Sequence, residues 1–266
     1  MVPYTLEGAS MLHQMFRIRW SAWKTLDEQK QKALIAEAQT VLIGMQAEGT
    51  SFYSMIGHKG DLLFVHFRPA LDALNAAELK LAQTGLADYL EPTNSYLSVV
   101  ELGLYESTQR INKMLADRGL QAGSEEWDKA ANEELERSRV AMAPRLNPET
   151  PPARYICFYP MDRRRGEDKN WYQVPLGERA RMMHEHGMVG RKYAGIVKQI
   201  ISGSIGLDDW EWGVDLWADD PVQFKKLIYE MRFDEVSAVY ALFGQFFVGV
   251  RTQPEELGEL LAGRRP

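Results

Sequence analysis

The stretch YPMDRRRGEDKNWY, residues 159–172, places a tyrosine at the end of a strand-like run and three arginines directly behind it. A guanidinium pairs well with a carboxylate, so Arg163 and its neighbours are candidates to meet an acidic ligand. Tyr159 is then a candidate to react with that ligand. The alternatives are a tyrosine hydrogen-bonded at a pocket rim and, for Arg164 and Arg165, solvated loop charge.

Two histidines in RMMHEHGMVGRKY could bind a metal. His184 and His186 are two apart on a predicted helix, so they point to different faces and cannot chelate one ion together. His186 shares an apolar stripe with Met182 and Met183 and precedes Gly187, a candidate helix terminator. A single imidazole at an apolar helix end is what a five-coordinate haem requires. A hydrogen-bonded core histidine is the alternative that the residues leave open.

The remaining histidines and the single cysteine carry weaker indications. His13, His58 and His66 have no partner at metal-ligand spacing, which favours structural roles. Cys157 could ligate iron as a thiolate, or it could be a small buried hydrophobic residue. One cysteine excludes an intrachain disulfide framework, and the lack of C-x-x-C-H excludes covalent haem attachment by that motif.

The composition limits the classes of partner. The chain has 266 residues, 45% of them hydrophobic, and a net charge of −6. A nucleic-acid binder normally carries a basic surplus, so local positive clusters indicate a specific anionic ligand instead. The N-terminus shows no signal-peptide pattern, and no apolar run approaches the ~18–20 residues that span a bilayer. We therefore expect a cytoplasmic protein without membrane or nucleic-acid contacts.

The elements that must position these residues follow the same order twice. Alternation and helical stripes predict strand–helix–strand–strand–helix–strand over residues 11–105, with strands at 11–20 and 94–105 and a helix over roughly 21–48. The pattern returns over residues 153–251, with a helix at 175–187 and a closing strand at 237–251. Two βαββαβ units indicate a duplicated ferredoxin-like α+β module, whose sheets pack face to face or close into a barrel.

These units predict three segments: an N-terminal ferredoxin-like module at 1–105, a polar connector at 106–144, and a C-terminal module at 145–266 carrying the pocket. The connector shows no convincing apolar stripe, so we interpret it as mobile.

Three long motifs resemble one known family: ICFYPMDRRR…NWY, MMHEHGMVGRKYAGIVKQIISGSIGLDDWEWGV and YEMRFDEVSAVYALFGQFFVG. In order and spacing they are similar to the coproheme decarboxylases of Gram-positive bacteria, within the chlorite-dismutase-like superfamily. The resemblance covers most of residues 94–251 and is looser before it. It implies a dimeric α+β barrel, built from the duplicated module, that assembles as a homopentamer.

The resemblance also implies roles for individual residues. His186 is the axial ligand of the haem iron, and Tyr159 is the redox-active tyrosine. Five further residues belong to the pocket: the propionate-binding Arg145, the distal Gln199, the propionate-bonding Ser237, and Tyr105 and Met161 beside the macrocycle. Gln199 favours a decarboxylase, since chlorite dismutases carry arginine at the matching place. Arg163 stands where the family commonly has lysine; the positive charge is kept, but the geometry of the cation differs.

The implied reaction is hydrogen-peroxide-dependent oxidative decarboxylation of two propionates of iron coproporphyrin III (coproheme). A tyrosyl radical on Tyr159 starts each round, and haem b forms through a three-propionate intermediate. Coproheme is then both substrate and redox cofactor, and a ferrochelatase is a plausible transient partner. Two alternatives remain at this stage: a haem-binding or haem-transfer protein, and a chlorite- or peroxide-consuming haem enzyme of the same superfamily.

Overall fold

The computed structural model describes residues 1–264. The strands are β1 (Thr5–Ile18), β2 (Thr50–Ile56), β3 (Leu62–Arg68), β4 (Leu90–Gly103), β5 (Tyr155–Arg163), β6 (Lys198–Gly203), β7 (Trp212–Ala218), β8 (Ala241–Phe243) and β9 (Phe247–Thr252). The helices are α1 (Trp20–Trp23), α2 (Glu28–Ala47), α3 (Leu71–Ala82), α4 (Tyr105–Asp117), α5 (Glu125–Ala141), α6 (Ala143–Leu146), α7 (Leu176–Arg191), α8 (Val222–Met231), α9 (Glu235–Tyr240) and α10 (Leu257–Leu261).

The strands form one antiparallel sheet in the order β7-β6-β4-β1-β3-β2-β9-β5-β8, and an additional pairing between β7 and β5 closes it into a barrel. Within the order, β4-β1-β3-β2 and β9-β5-β7-β6 are the same arrangement, with each half contributing its last, first, third and second strand. The two predicted modules are therefore present, and they share one closed sheet. The eight strands of these two sets close on themselves and have no free edge, while β8 is a short additional strand beside β5.

Two seams join the halves of the barrel. At one seam Val100 of β4 lies opposite Ser202 of β6. At the other, β2 pairs with β9 over five residues, from Phe52 opposite Thr252 to Ile56 opposite Val248. Since both seams are main-chain ladders, the halves are held by hydrogen bonds as well as by side-chain packing.

The hydrophobic core has two parts, one inside the barrel and one between the sheet and the helices outside it. Alternate residues of the strands fill the barrel interior, including Met11, Tyr53, Val65 and Phe158. The outer face of the N-terminal half is covered by α2, α3 and α10, and that of the C-terminal half by α7 and α8. Within residues 1–264 no helix combines the length and apolar character needed to cross a bilayer.

The segment 106–144 differs from the sequence-based expectation of a mobile connector. It is mostly helical, and α4 and α5 pack against each other through Ile111, Leu115, Trp127 and the small residues Ala130 and Ala131. The buried face of α5 consists of one tryptophan and two alanines. Because alanine is small, this stripe is not recognised when only large apolar residues are counted. The prediction that this segment lacks a core stripe is wrong.

Two boundaries around the expected site also differ. The predicted strand over 237–251 begins as helix α9, because Asp234 caps that helix by accepting the main-chain N–H of Ser237 at 2.8 Å. The predicted helix end at Gly187 is wrong, since α7 continues to Arg191 and Gly187 has no positive φ. His186 therefore lies within α7, more than one turn before its end.

Candidate active site

One face of α7 is directed toward β5 and β6 without being fully buried, since Met183 lies near Arg163 and Gly190 lies near Gln199. Met183, His186, Gly187 and Gly190 follow helical spacing and are all half-buried. The corresponding helix of the N-terminal half, α2, instead has a fully buried stripe of apolar side chains (Leu34, Ala38, Leu42 and Met45). This face of α7 is thus less buried than the corresponding face of α2, and it carries the histidine.

The His186 imidazole is oriented by one carboxylate. Its Nδ1 lies 2.8 Å from Asp234 Oδ2 and 3.4 Å from the Ser237 hydroxyl. Asp234 is nearly buried, with 5% of its side chain exposed, whereas 25% of the His186 side chain is exposed. Donation of Nδ1–H to a carboxylate fixes the tautomer and leaves Nε2 with its lone pair. This is the state that an imidazole needs to ligate a metal.

The charge of Asp234 is maintained by the same contacts. Burial alone would raise the pKa of this carboxyl, but hydrogen bonds from His186 and from Ser237 outweigh burial and hold the pKa below its ordinary value. An ionised Asp234 is the stronger acceptor for Nδ1–H and fixes the orientation of the imidazole ring.

A buried cation lies on the strand that leads to this region. Arg163, at the end of β5, is 9% exposed. Its guanidinium lies over the Trp171 ring, 5.2 Å from the centroid, and its Nη2 is 3.7 Å from Met183 Sδ. Its Nη1 is buried and makes no hydrogen bond within residues 1–264. Burial lowers the pKa of Arg163, which indicates a cation that an anionic ligand would stabilise.

The adjacent carboxylate of Glu211 does not take up this guanidinium. Glu211 is 6% exposed and its Oε2 accepts the main-chain N–H of Arg163 at 2.8 Å. Its Oε1 lies 3.5 Å from Nε of Arg165. The main-chain N–H of Glu211 donates a hydrogen bond to Oδ1 of Asp162, the residue before Arg163, at 2.8 Å. The chain around Arg163 is therefore fixed while its side chain keeps a donor free for a ligand.

Tyr159 lies on the same outer face of β5, among aromatic rings. It stacks on Phe246 with ring centroids 4.5 Å apart and is 5% exposed. Burial raises the pKa of the phenol, and the charges of Arg232 and Arg163 partly offset this. The phenol is consequently protonated at neutral pH, so that its oxidation would require loss of a proton together with the electron.

Arg232 is a site residue that sequence reasoning did not select. Its guanidinium carbon lies 3.7 Å from the centroid of the Phe243 ring, and its charge acts on Tyr159. Phe243 in turn neighbours Tyr159, with centroids 5.8 Å apart. A second cation thus lies beside the phenol. The arginine in YEMRFDEV could have been suspected only from its place two residues before the capping aspartate.

The other predicted residues are distributed around this centre. Met161 lies on the face of β5 that carries Tyr159 and is 8% exposed. Gln199 on β6 approaches α7, since a side chain added at Gly190 would come within 3.5 Å of its Nε2. Tyr105 packs edge-on against Trp171, with centroids 6.1 Å apart.

Arg145 is placed differently. It lies exposed on the short helix α6, which packs against β1, β4 and α5. The structure therefore brings His186, Ser237, Tyr159, Met161, Arg163, Gln199 and Tyr105 to the region around α7 and β5, but it places Arg145 on another element.

Cys157 has the character of a buried hydrophobic residue. Burial raises the pKa of its thiol to about 12, so that it remains protonated and is a poor metal ligand. It lines a cavity of about 550 Å³ between α8 and the strands β5 and β9, together with Phe224, Ile228, Arg232 and Phe246.

These features fit an iron porphyrin with acidic substituents. One oriented imidazole could supply an axial nitrogen, and half-buried and aromatic side chains could contact a macrocycle. The free donor of Arg163 and the cation of Arg232 could pair with carboxylates, next to a protonated phenol.

Comparison with known proteins identifies the family. The model of the chlorite dismutase family matches residues 31–252. The chain belongs to the chlorite dismutase family. The structure of a chlorite dismutase mutant from Candidatus Nitrospira defluvii has the same fold, with a TM-score of 0.73 at 16% identity, covering 97% of each chain.

Three further relatives share more of the sequence. The coproheme decarboxylase of Staphylococcus saprophyticus is 42% identical over 98% of both chains. A structure described as a novel haem-binding protein from Thermus thermophilus is 41% identical, with a TM-score of 0.83, covering 98% of this chain and 99% of that one. A protein of Haloquadratum walsbyi named for haem binding is 43% identical over 99% of this chain, which spans 48% of that longer protein.

Proposed function

We propose that this protein is a coproheme decarboxylase. It would use hydrogen peroxide to convert two propionates of iron coproporphyrin III to vinyl groups and would release haem b. The observation that carries the proposal is the juxtaposition of an imidazole anchored through Nδ1, at His186, with a buried guanidinium that keeps a free donor, at Arg163. The identity to the coproheme decarboxylase of Staphylococcus saprophyticus, 42% over nearly the full length, supports the same conclusion.

The proposed roles follow from where each side chain lies. His186 binds the iron through Nε2, since its Nδ1 is bonded to Asp234. Arg163, and Arg232 beside the phenol, pair with propionates and hold them near Tyr159. Ser237, whose hydroxyl is 3.4 Å from His186 Nδ1, is the proposed hydrogen-bond partner of a propionate. The iron supplies the peroxide-driven oxidation; the chain binds, orients and excludes water.

Each round removes the same atoms from one propionate. Tyr159, as a radical that has lost its proton and one electron, takes a hydrogen atom from the β-carbon. Loss of carbon dioxide and of a second electron and proton leaves the vinyl group. One hydrogen peroxide takes up the two hydrogens and becomes two waters. Two rounds pass through a three-propionate intermediate.

Gln199 supports this reaction over chlorite consumption. It approaches α7 from β6, and a neutral amide offers no charge to hold a chlorite anion. We further propose a homopentamer and a transient contact with a ferrochelatase, on the family resemblance alone. We also propose the three segments 1–105, 106–144 and 145–266 as the domain organisation, with the C-terminal one carrying the pocket.

The test adds coproheme to the purified protein, titrates hydrogen peroxide and follows product mass. The expected result is two successive losses, each of carbon dioxide with two hydrogens. Tyr159→Phe should bind coproheme but form no product, whereas Tyr229→Phe, which changes a tyrosine that is 66% exposed, should behave like the parent. Tight binding with an unchanged porphyrin in the parent protein would overturn the proposal and favour a haem carrier. Bleaching without vinyl products would indicate another oxidant chemistry.

A further inference from the structure

The interior of the barrel contains polar side chains that the proposed reaction does not use. His13, Ser98, Ser202 and Asp215 are each 0% exposed. One hydrogen bond joins two of them, between His13 Nε2 and Asp215 Oδ1 at 2.8 Å. The other polar atoms (His13 Nδ1, Asp215 Oδ2, Ser98 Oγ and Ser202 Oγ) have no hydrogen-bond partner within residues 1–264. Buried polar atoms without a partner are rare in folded proteins, and a bound water or ion is one explanation for them.

The strand register places Asp215 and Ser202 next to each other. Ser202 of β6 lies directly opposite Gly213 of β7. Asp215 is two residues farther along β7, on the same face, so it is the diagonal neighbour of Ser202. Gly213 lets the Ser202 hydroxyl and the Tyr96 ring approach the main chain of β7, since a side chain there would come within 2.8 Å of Ser202 Oγ and 2.6 Å of Tyr96 Cε1.

The same reasoning links the other two side chains. Val100 of β4 lies opposite Ser202, and Ser98 is two residues away on the same face. Ser98 lies opposite Met11 of β1, and His13 is two residues beyond Met11. The path therefore runs from Asp215 through Ser202 and Ser98 to His13, and the 2.8 Å bond between His13 and Asp215 closes it.

The four atoms without partners match what water can offer. With Nε2–H donating to the carboxylate, His13 Nδ1 is an acceptor, and Asp215 Oδ2 is a second acceptor. The two serine hydroxyls can donate. Water both donates and accepts two hydrogen bonds, and buried waters typically bond two to four polar groups. The surrounding interior is apolar (Met11, Met15, Val65, Ile156 and Phe158), so a hydrated site would be confined to this ring.

We propose that the barrel interior contains a binding site for ordered water, enclosed by His13, Ser98, Ser202 and Asp215. Two of these residues come from the N-terminal half and two from the C-terminal half. Bound water would add to the His13–Asp215 hydrogen bond as a connection between β1 and β7, which are not paired with each other within residues 1–264. The site is independent of the porphyrin and of the proposed function.

A high-resolution crystal structure of the whole chain tests this directly. The expected result is ordered density within hydrogen-bond distance of Asp215 Oδ2 and of at least one of the two serine hydroxyls. An interior without such density, with both serines bonded to main-chain carbonyls, would overturn the proposal.

Water-oxygen magnetic relaxation dispersion tests the site in solution, because it detects waters held for long times. Ser98→Ala and Ser202→Ala should each lower the number of long-lived waters or shorten their residence. The matched control is Ser138→Ala on α5, which removes a hydroxyl that is bonded to Glu134 O at 3.0 Å; it should leave that number unchanged. Equal dispersion in the parent and both interior variants would contradict the proposal, and circular dichroism shows whether each variant is folded.

Discussion

Asp234 uses its two carboxylate oxygens for two different tasks. Oδ2 lies 2.8 Å from Nδ1 of His186, and Oδ1 accepts the main-chain N–H of Ser237 at 2.8 Å as the cap of α9. One side chain thus fixes the proposed iron ligand and the start of the helix that bears a proposed propionate contact.

Replacing Asp234 by asparagine should separate these tasks. Asparagine is also a good helix cap, so α9 should persist, but the imidazole loses its anionic partner. Changes in such a partner typically cost about 10- to 100-fold in metal affinity, and we expect a loss of coproheme affinity in that range. An absorbance titration measures it. The matched control is Asp27→Asn, since Asp27 caps α2 by accepting the N–H of Lys30. An equal effect in both variants would contradict the role assigned to Asp234.

Removal of the Arg163 cation should weaken binding of the acidic porphyrin. Arg163→Met keeps a chain that can pack on Trp171 but leaves a propionate without its partner, which costs about 2–5 kcal/mol for a buried pair. This corresponds to at least roughly 30-fold weaker binding. Arg164→Met changes the exposed neighbouring arginine and should alter affinity by less than about 3-fold, which corresponds to an energy within the range of an exposed ion pair. Arg163→Lys should recover part of the loss. Equal affinities of Arg163→Met and the parent protein would be incompatible with propionate binding at this position.

The buried His66 should make stability depend on pH. Burial, and repulsion by Arg68, lower its pKa to about 3 in the folded protein, whereas an unfolded histidine titrates near 6.5. Between these values the unfolded chain takes up a proton that the folded His66 does not, so the free energy of unfolding falls as pH falls. The slope from this group approaches ~1.4 kcal/mol per pH unit.

Denaturant unfolding from pH 7 to pH 4 measures this slope against variants. His66→Gln removes the titrating group, so stability should fall less steeply with decreasing pH than in the parent. His58→Gln, at an exposed turn position, should keep the parent slope. Parallel curves for the parent and His66→Gln would show that the imidazole takes up protons equally in the folded and unfolded states, which would contradict the lowered pKa.

The helical pair α4–α5 should contribute measurably to stability. Leu115 is 0% exposed in its core, and truncation of a buried leucine to alanine costs about 2–5 kcal/mol. Leu115→Ala should therefore lower the free energy of unfolding by an amount in that range. Leu79→Ala, at a leucine that is 55% exposed on α3, should change it by less than about 0.5 kcal/mol. An unaffected stability in Leu115→Ala would support the sequence-based view of this segment as a mobile connector.

The periodicity of the sequence was sufficient to predict the two modules, because strands and helices that pack on one core repeat apolar residues at fixed spacing. The sequence pattern predicted the wrong secondary structure where a local interaction, such as a helix cap, outweighs the preferences of the residues. The apolar and aromatic run that begins at Ser237 resembles a strand, but Asp234 caps a helix there. Gly187 resembles a terminator, but α7 continues because Gly187 adopts helical angles.

The partners of the proposed site residues could not be predicted. Glu211 meets Arg163 across a separation of 48 residues, and Asp234 meets His186 across the same separation. Both contacts depend on how β5, β7, α7 and α9 are placed in three dimensions. The family resemblance predicted which side chains belong to the pocket, but it gave no indication of which carboxylates contact them.

The contrast between α2 and α7 has a consequence for how much change each half tolerates. The buried apolar face of α2 contributes more to the free energy of folding than the half-buried face of α7 does. The face of α7 leaves space beside the helix instead. Because the closed sheet joins the two halves, the well-packed first copy of the repeat can offset the lower stability of the second copy. Substitutions at Met183 and Gly190 should therefore cost less folding stability than substitutions at Leu34, Ala38 and Leu42.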